Sequence, residues 1–221
     1  MPTSSFDHVS SVMHVVEKAQ PRSILDVGIG FGKWGVLCRE VLEAKHGRLQ
    51  PSDWQTRIDG IEIHQEYENP LWHLAYTSVF LGDVFQVIDG LAHYDLIIAC
   101  DVVEHLDKDV GMALLGKLLQ HGTLVVLTSP RGFMVQTALL GNEHEMHRSG
   151  WEAKDFARFP HIYWDTGLTF VVAMSSSEAY LSSLGLGHPL RRIGLRTVTR
   201  ELLRLGKEQL WGNLRAKLHL R

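Results

Sequence analysis

The sequence predicts an α/β fold with a mostly parallel sheet and helices on both of its faces. Short apolar runs, which indicate buried strands, alternate with segments of helical periodicity along most of the chain. The run at 94–100, Tyr-Asp-Leu-Ile-Ile-Ala-Cys, is almost continuously apolar, as is typical of a strand covered on both faces. A glycine-rich turn follows the first run and precedes a helical pattern. That arrangement forms a ligand-binding crevice in such sheets.

The elements can be placed in order along the chain. A helix before Pro21 is predicted from its apolar positions, and it would either cover the crevice or pack on the sheet. Further helices are predicted after the first strand, at 70–74 and at 108–120. The last two strands flank the turn at 165–167 as a hairpin, so the last strand runs against the others. The predicted strands are 23–27, 57–63, 78–81, 94–100, 123–128, 161–164 and 168–174.

Three kinds of ligand site begin with a glycine-rich turn like the one within 26–35. The loop at 28–33 is one residue too short for a phosphate-binding P-loop, and Trp34 stands where a metal-binding hydroxyl is needed. A dinucleotide fingerprint at 30–35 would leave two residues unused after the end of the strand. A glycine-rich turn without any ligand is the remaining alternative.

The third kind of site accounts for every residue of the turn. The segment 26–32, Asp-Val-Gly-Ile-Gly-Phe-Gly, resembles the first motif of class I S-adenosylmethionine-dependent methyltransferases, of the type 11 and type 12 groups. The resemblance implies that Gly28, Gly30 and Gly32 let the backbone pass under the methionine part of the cofactor. It implies also that Asp26 helps to hold the amino group of the cofactor.

Later motifs resemble those of the same family, in the same order. Glu62, at the end of the second strand, matches the acidic position that binds the ribose hydroxyls. In the Gly-Asp-Val turn after the third strand, the resemblance implies that Asp83 binds the adenine amino group and Val84 the ring. Asp101 begins the fourth motif and is assigned to the cofactor site. The resemblance covers about residues 20–175 and implies a Rossmann-like, seven-stranded methyltransferase fold with S-adenosyl-L-methionine as its cofactor.

Methyl transfer requires alignment of the acceptor and often removal of its proton, so a base near the methyl group is expected. Two clusters offer a histidine. Glu104 and His105 follow the fourth strand, and His147 lies in the segment 142–151, where the acceptor pocket is often capped in this family. These three are the candidate catalytic residues.

The segment 142–151 allows a second interpretation. In the first, Arg148 clamps an anionic group and Trp151 forms a wall of the acceptor pocket. In the second, the segment is a polar loop in which Ser149 caps a helix at 151–159.

No metal site is expected. Some quinone O-methyltransferases hold a divalent metal with an acid-x-x-Glu-His pattern after the fourth strand, but Asp101 stands here where that pattern has Glu. Acidic residues at this point also favour a helix N-terminus without any metal.

The acceptor is predicted to be a small molecule, methylated at an oxygen of a sugar, quinone or other metabolite. The fourth motif lacks the Asn/Asp-Pro-Pro-aromatic sequence of many nitrogen methyltransferases. Residues 1–190 carry thirteen positive and twenty-three negative side chains, which argues against nucleic-acid binding. The alternatives are a non-catalytic, cofactor-binding partner or regulatory module and an NAD-dependent oxidoreductase.

The chain is expected to divide into a methyltransferase domain at 1–177 and a basic amphipathic helical extension at 178–221. The segment 191–221 has nine Lys or Arg and two Glu, with leucines at near-helical spacing. Such a helix could contact a membrane surface, a second copy of the chain or another partner, or pack on its own acidic domain.

The chain is expected to be cytoplasmic, with peripheral membrane contact if the extension binds lipid. No charged and apolar leader with a cleavage site begins the sequence, and no apolar run is long enough to span a bilayer. Cys38 and Cys100 lie in apolar contexts and are expected to be reduced packing residues.

Overall fold

The computed structural model describes residues 3–139 and 141–187, and their strands form one seven-stranded sheet. The helices are α1 Val9–Ala19, α2 Lys33–Leu42, α3 Pro70–Ala75, α4 Val84–Val87, α5 Lys108–His121 and α6 Glu178–Ser183. The strands are β1 Ser23–Val27, β2 Arg57–Glu62, β3 Ser78–Leu81, β4 Tyr94–Cys100, β5 Gly122–Pro130, β6 His161–Asp165 and β7 Thr169–Met174.

The strand order is β3-β2-β1-β4-β5-β7-β6. The first five strands in this order are parallel, and β7 pairs antiparallel with both β5 and β6. Since β1 pairs with β2 on one side and β4 on the other, the order reverses at β1. A ligand crevice is expected beyond the carboxyl ends of strands at such a reversal.

Helices cover both faces of the sheet, as predicted. On one face α1, α2 and α3 bury a cluster that includes Val15, Trp34 and Trp72, and α6 adds Leu181. On the other face α5 buries a second cluster around Leu114. The burial of apolar side chains on both faces explains why most residues of the central strands β1, β4 and β5 are apolar.

The predicted strands lie within two residues of those observed. β5 extends further, to Pro130, because its last residues pair with the start of β7. Cys38 and Cys100 are free and buried, as expected. The helix proposed at 151–159 is wrong: only Ala153–Phe156 form a single 3-10 turn, and that turn is capped by Glu152.

The compact unit ends at Gly187, ten residues beyond the boundary expected from the sequence. Leu181 and Leu186 are buried in the first core cluster, so α6 packs with the sheet. The predictions for 191–221 lie outside the described residues. Within the described part of the chain, no helix has the length and apolarity needed to cross a membrane.

The replacement Trp151→Ala should lower the free energy of unfolding by about 3–5 kcal/mol, because a large buried side chain would leave a cavity. Trp151 is fully buried, stacks on Phe156 at 5.7 Å between ring centroids, and donates a hydrogen bond to Ser149 Oγ at 2.9 Å. Urea titration of the wild type and the variant measures the loss. Leu49→Ala, at an exposed leucine, is the control and should change stability little. Equal effects of the two changes would refute the core placement of Trp151.

Candidate functional site

A cavity of about 530 Å³ opens at the carboxyl ends of the parallel strands, where the strand order reverses. Its volume lies in the range of small-molecule and cofactor sites. Most of the site residues predicted from the sequence line it. They are Gly28, Gly30, Glu62, Asp83, Val84, Asp101, Glu104, His105 and His147. Two predicted residues, Asp26 and Gly32, do not belong to the lining.

The turn after β1 presents backbone rather than side chains to the cavity. Gly28 has a φ of 76°, and a Cβ there would lie 2.9 Å from Val102 Cγ2, so only glycine fits. Gly30 also has a positive φ, and its N–H donates to Glu62. Gly32 precedes α2 with a φ of 96° and faces Trp72 of α3 instead of the cavity.

Asp26, which the sequence assigned to the cofactor site, does not line the cavity, because its side chain is fully buried. Its Oδ2 accepts a 2.5 Å hydrogen bond from the hydroxyl of Tyr76, and that hydroxyl accepts one from Gly35 N–H in α2. Burial raises the pKa of Asp26 to about 7. Asp26 therefore positions the turn and the start of α2 from below.

The carboxylate of Glu62 supports the other side of the turn. Its Oε2 accepts from Gly30 N–H at 2.8 Å, and its Oε1 accepts from His64 N–H at 2.9 Å. Burial raises the pKa of Glu62, although these backbone donors act in the opposite direction. Each oxygen has two lone pairs, so the carboxylate can still accept from a ligand diol in the cavity.

Asp83 and Val84 border the cavity at the start of α4. Asp83 caps the helix, since its Oδ1 accepts from Phe85 N–H at 2.8 Å. Its second oxygen can accept from a ligand, and Val84 N–H is at a helix position that has no intrahelical acceptor. The pair can therefore bind a group that presents both a donor and an acceptor.

Asp101 is held in an uncommon backbone conformation at the end of β4, with a φ of 55°. Its Oδ1 accepts from Thr128 Oγ1 at 2.7 Å, and its Oδ2 accepts from Ser5 N–H at 3.1 Å and lies 3.3 Å from His8 Nε2. Burial acts to raise the pKa of Asp101, but the interactions with His8, Thr128 and Ser5 act more strongly in the other direction. The net effect is a pKa below the ordinary value of an aspartate. Asp101 therefore remains ionised at the cavity wall.

The segment that precedes α1 borders the cavity, whereas α1 itself packs on α2 and β7. Ser4 accepts at its carbonyl from Lys33 Nζ and at its hydroxyl from Trp34 Nε1, the latter at 3.1 Å. With the Ser5 bond to Asp101, these contacts place residues 3–7 beside the glycine turn. No sequence motif marks this segment, because its partners lie about 30 to 100 positions away.

Glu104, His105 and His147 meet at the wall of the same cavity. The rings of His105 and His147 are 4.9 Å apart between centroids, at a steep angle. One candidate ligand atom from each of the three residues lies within 4.8 Å of the others, as a metal site requires. This set differs from the pattern considered from the sequence, because Asp101 is already engaged. The expectation of no metal ligands stays a prediction, and this arrangement is one that could hold an ion.

Burial shifts the pKa values of Glu104 and His105. Glu104 is 2% exposed, and burial raises its pKa well above the ordinary value, with a further contribution from the charge of Asp101. Burial lowers the pKa of His105, which therefore favours the neutral ring. A neutral imidazole can accept a proton or donate a lone pair to a metal.

A hydrogen-bonded group beside this cluster was missed by the sequence analysis. Tyr67 donates to Glu145 Oε1 at 2.8 Å and accepts from Asn142 Nδ2 at 2.9 Å, and all three residues line the cavity. Burial raises the pKa of Tyr67 to about 12, so its hydroxyl keeps its proton. Tyr67 lies in the short 3-10 turn Gln65–Tyr67 after β2, and no local pattern could predict contacts across more than seventy residues.

Two side chains proposed for the acceptor pocket are placed elsewhere. Arg148 is exposed and does not line the cavity, while Trp151 is fully buried under α5. The cap proposed for Ser149 is also wrong, because its hydroxyl donates to Val103 O and accepts from Trp151. The segment is tied to the loop after β4, so only its earlier residues reach the cavity.

No family model and no curated protein matches the sequence. Solved structures do match the fold. The methyltransferase domain of bacterial CtHen1-CN gives a TM-score of 0.53 at 14% identity, over 76% of this chain and 97% of that chain. The N-terminal domain of EvdMO1 with SAH bound gives a TM-score of 0.54 at 16% identity. That match covers 79% of this chain and 83% of the EvdMO1 domain chain.

A putative O-methyltransferase from Nostoc punctiforme PCC 73102 gives a TM-score of 0.52 at 16% identity. The match covers 75% of this chain and 54% of the Nostoc chain, so it spans about half of that protein. At these identities the likeness concerns the fold. The chain has the Rossmann-like class I methyltransferase fold that the sequence predicted.

The replacement Asp26→Asn should change how stability depends on pH. The folded pKa of Asp26 is about 7, and the pKa of an unfolded aspartate is about 3.9, so the folded protein retains a proton between these values. The free energy of unfolding of the wild type should therefore fall between about pH 5 and about pH 7, relative to the variant, by up to about 1.4 kcal/mol per pH unit.

Denaturant titrations of both proteins across this range measure the difference. Asp107→Asn, at an exposed position outside the cavity, should follow the wild type. Parallel curves for the wild type and Asp26→Asn would contradict the raised pKa.

Proposed function

We propose that the chain is an S-adenosyl-L-methionine-dependent methyltransferase that methylates an oxygen of a small-molecule acceptor, such as a sugar, a quinone or another metabolite. The observation that carries the proposal is the arrangement of the cavity. Three ordered carboxylates and a glycine turn line the same cavity as a cluster of buried Glu104 with the partly exposed His105 and His147. The fold and its neighbours support the same conclusion.

The residues fit this cofactor in their chemistry. The space that a Cβ would fill at Gly28 leaves room for a ligand to approach the backbone. Glu62 would accept from the ribose diol, Asp83 from the adenine amino group, and ionised Asp101 would attract the cationic end. When bound, S-adenosyl-L-methionine supplies an electrophilic methyl group.

The acceptor would bind beside the histidine pair. A hydroxyl placed there could pass its proton to neutral His105 or to His147, and it could also hydrogen-bond to the Glu104 carboxyl. Tyr67 and Asn142 offer further hydrogen bonds that would orient a polyhydroxylated acceptor. One neighbour of similar fold, the N-terminal domain of EvdMO1, was crystallised in the presence of SAH and D-fucose, which supports a search among sugars first.

Calorimetric titration with S-adenosylmethionine, S-adenosylhomocysteine and NAD tests the cofactor. The first two ligands should bind to the wild type, and NAD should not. Asp83→Ser should weaken their binding by roughly 1–3 kcal/mol, about 5- to 150-fold, because a buried hydrogen-bond acceptor is lost. Serine also caps helices well, so the helix start at α4 should persist.

Asp107→Ser is the matched control, since Asp107 is the N-cap residue of α5 and lies outside the cavity. It should bind both ligands as the wild type does. Binding of NAD alone would favour an oxidoreductase. Binding of S-adenosylmethionine without transfer to any acceptor of a sugar and quinone panel would favour the non-catalytic module.

A further inference from the structure

Glu104 has a buried carboxylate that borders the cavity. It is 2% exposed, and no donor in the described part of the chain meets either oxygen with good hydrogen-bond geometry, although its own backbone N–H and the nearby Ser129 hydroxyl act to lower its pKa. The other carboxylates of the site, Glu62, Asp83 and Asp101, each accept at least one. A buried polar group without a partner costs free energy, so the side chain that lines the cavity requires a ligand on that side.

The two histidines beside Glu104 are oriented by the backbone. His105 Nδ1 lies 3.2 Å from the carbonyl of Met146, and His147 Nδ1 lies 2.7 Å from the carbonyl of Met134. A carbonyl can only accept, so each Nδ1 carries the proton and each Nε2 carries a lone pair. Histidines that bind metals are held in the same way, with the second nitrogen donating to a carbonyl or carboxylate.

Backbone hydrogen bonds also fix the distance between the two segments that carry these ligands. The N–H groups of Arg148 and Ser149 donate to Glu104 O at 2.7 and 3.1 Å. His147 is thus tied beside Glu104 although the two residues are 43 positions apart. Backbone hydrogen bonds therefore hold the loop after β4 and the segment that carries His147 next to each other.

We propose that Glu104, His105 and His147 bind a divalent transition-metal ion whose remaining coordination positions take the acceptor hydroxyl. The inference rests on the proposed function, because the acceptor is the substrate of that reaction. The ligand atoms lie within 4.8 Å of one another, and bonds of about 2.0–2.2 Å to one ion require only small side-chain movements to bring them closer.

The ligand types indicate the class of ion. Mg²⁺ and Ca²⁺ take oxygen ligands, whereas two imidazoles and a carboxylate suit Mn²⁺, Fe²⁺, Co²⁺ or Zn²⁺. Three protein ligands leave positions open for an acceptor oxygen from the cavity. The bound ion lowers the pKa of that hydroxyl, and its proton passes to water. The resulting oxygen anion forms the new O–C bond as the C–S bond of the methyl donor breaks. In this arrangement the histidines are ligands rather than bases.

Metal titration of the full chain after dialysis against a chelator tests the site. Mn²⁺ and Zn²⁺ should bind with one tight site per chain, and Mg²⁺ should bind much more weakly. Co²⁺ should give the visible absorption of a site with nitrogen and oxygen ligands. Glu104→Gln and His147→Ala should weaken Mn²⁺ binding by more than about 100-fold, beyond the effect of losing an outer hydrogen bond.

His46→Ala, which removes an exposed histidine outside the cavity, is the matched control and should bind Mn²⁺ as the wild type does. S-adenosylhomocysteine binding by each variant reports whether its cofactor side is folded. Equal Mn²⁺ affinity in the wild type and the ligand variants would overturn the metal site. So would the absence of tight binding by a wild type that still binds S-adenosylhomocysteine, and the proposed function would then stand without a metal. Tight Mn²⁺ binding without any S-adenosylhomocysteine binding would overturn the proposed function alone.

Discussion

The pairing of β1 with β2 on one side and β4 on the other is the constraint on which the rest of the structure depends. Both pairings are parallel, so the carboxyl ends of the three strands lie along one edge of the sheet. Each parallel connection needs a crossover, which places helices on the faces and keeps that edge open. Residues from Gly28 to Glu104 meet there although they are 76 positions apart.

The carboxylates at this edge differ mainly in the hydrogen-bond donors that surround them. Glu62 is held by two backbone N–H groups, and Asp101 by Thr128, Ser5 and His8. Asp26 is held by Tyr76 below the turn. A charge in a low-dielectric interior is costly unless donors surround it, so these residues stabilise particular backbone conformations. Glu104 differs from them, because no donor in the described part of the chain meets its oxygens with good hydrogen-bond geometry.

Two irregular segments complete the cavity without any motif of their own. Residues 3–7 contact Lys33, Trp34 and Asp101, while the segment 142–149 contacts Tyr67 and Glu104. Solved methyltransferase structures at 14–16% identity share the fold of this chain. Irregular segments vary more freely because few buried contacts constrain them, and they are where substrate preference usually arises.

The sequence by itself determined the elements, their order and most of the motif residues that line the cavity. Apolar periodicity follows from burial, so strands such as Tyr94–Cys100 are visible locally, and Gly28 is required by a positive φ within a single turn. Tertiary structure alone decided which predicted residues face the cavity. The side chains of Asp26 and Trp151 are buried in the interior. His147 lies beside Glu104, and Tyr67 lines the cavity. These placements depend on hydrogen bonds between segments distant in sequence, and local residue patterns contain no information about such contacts.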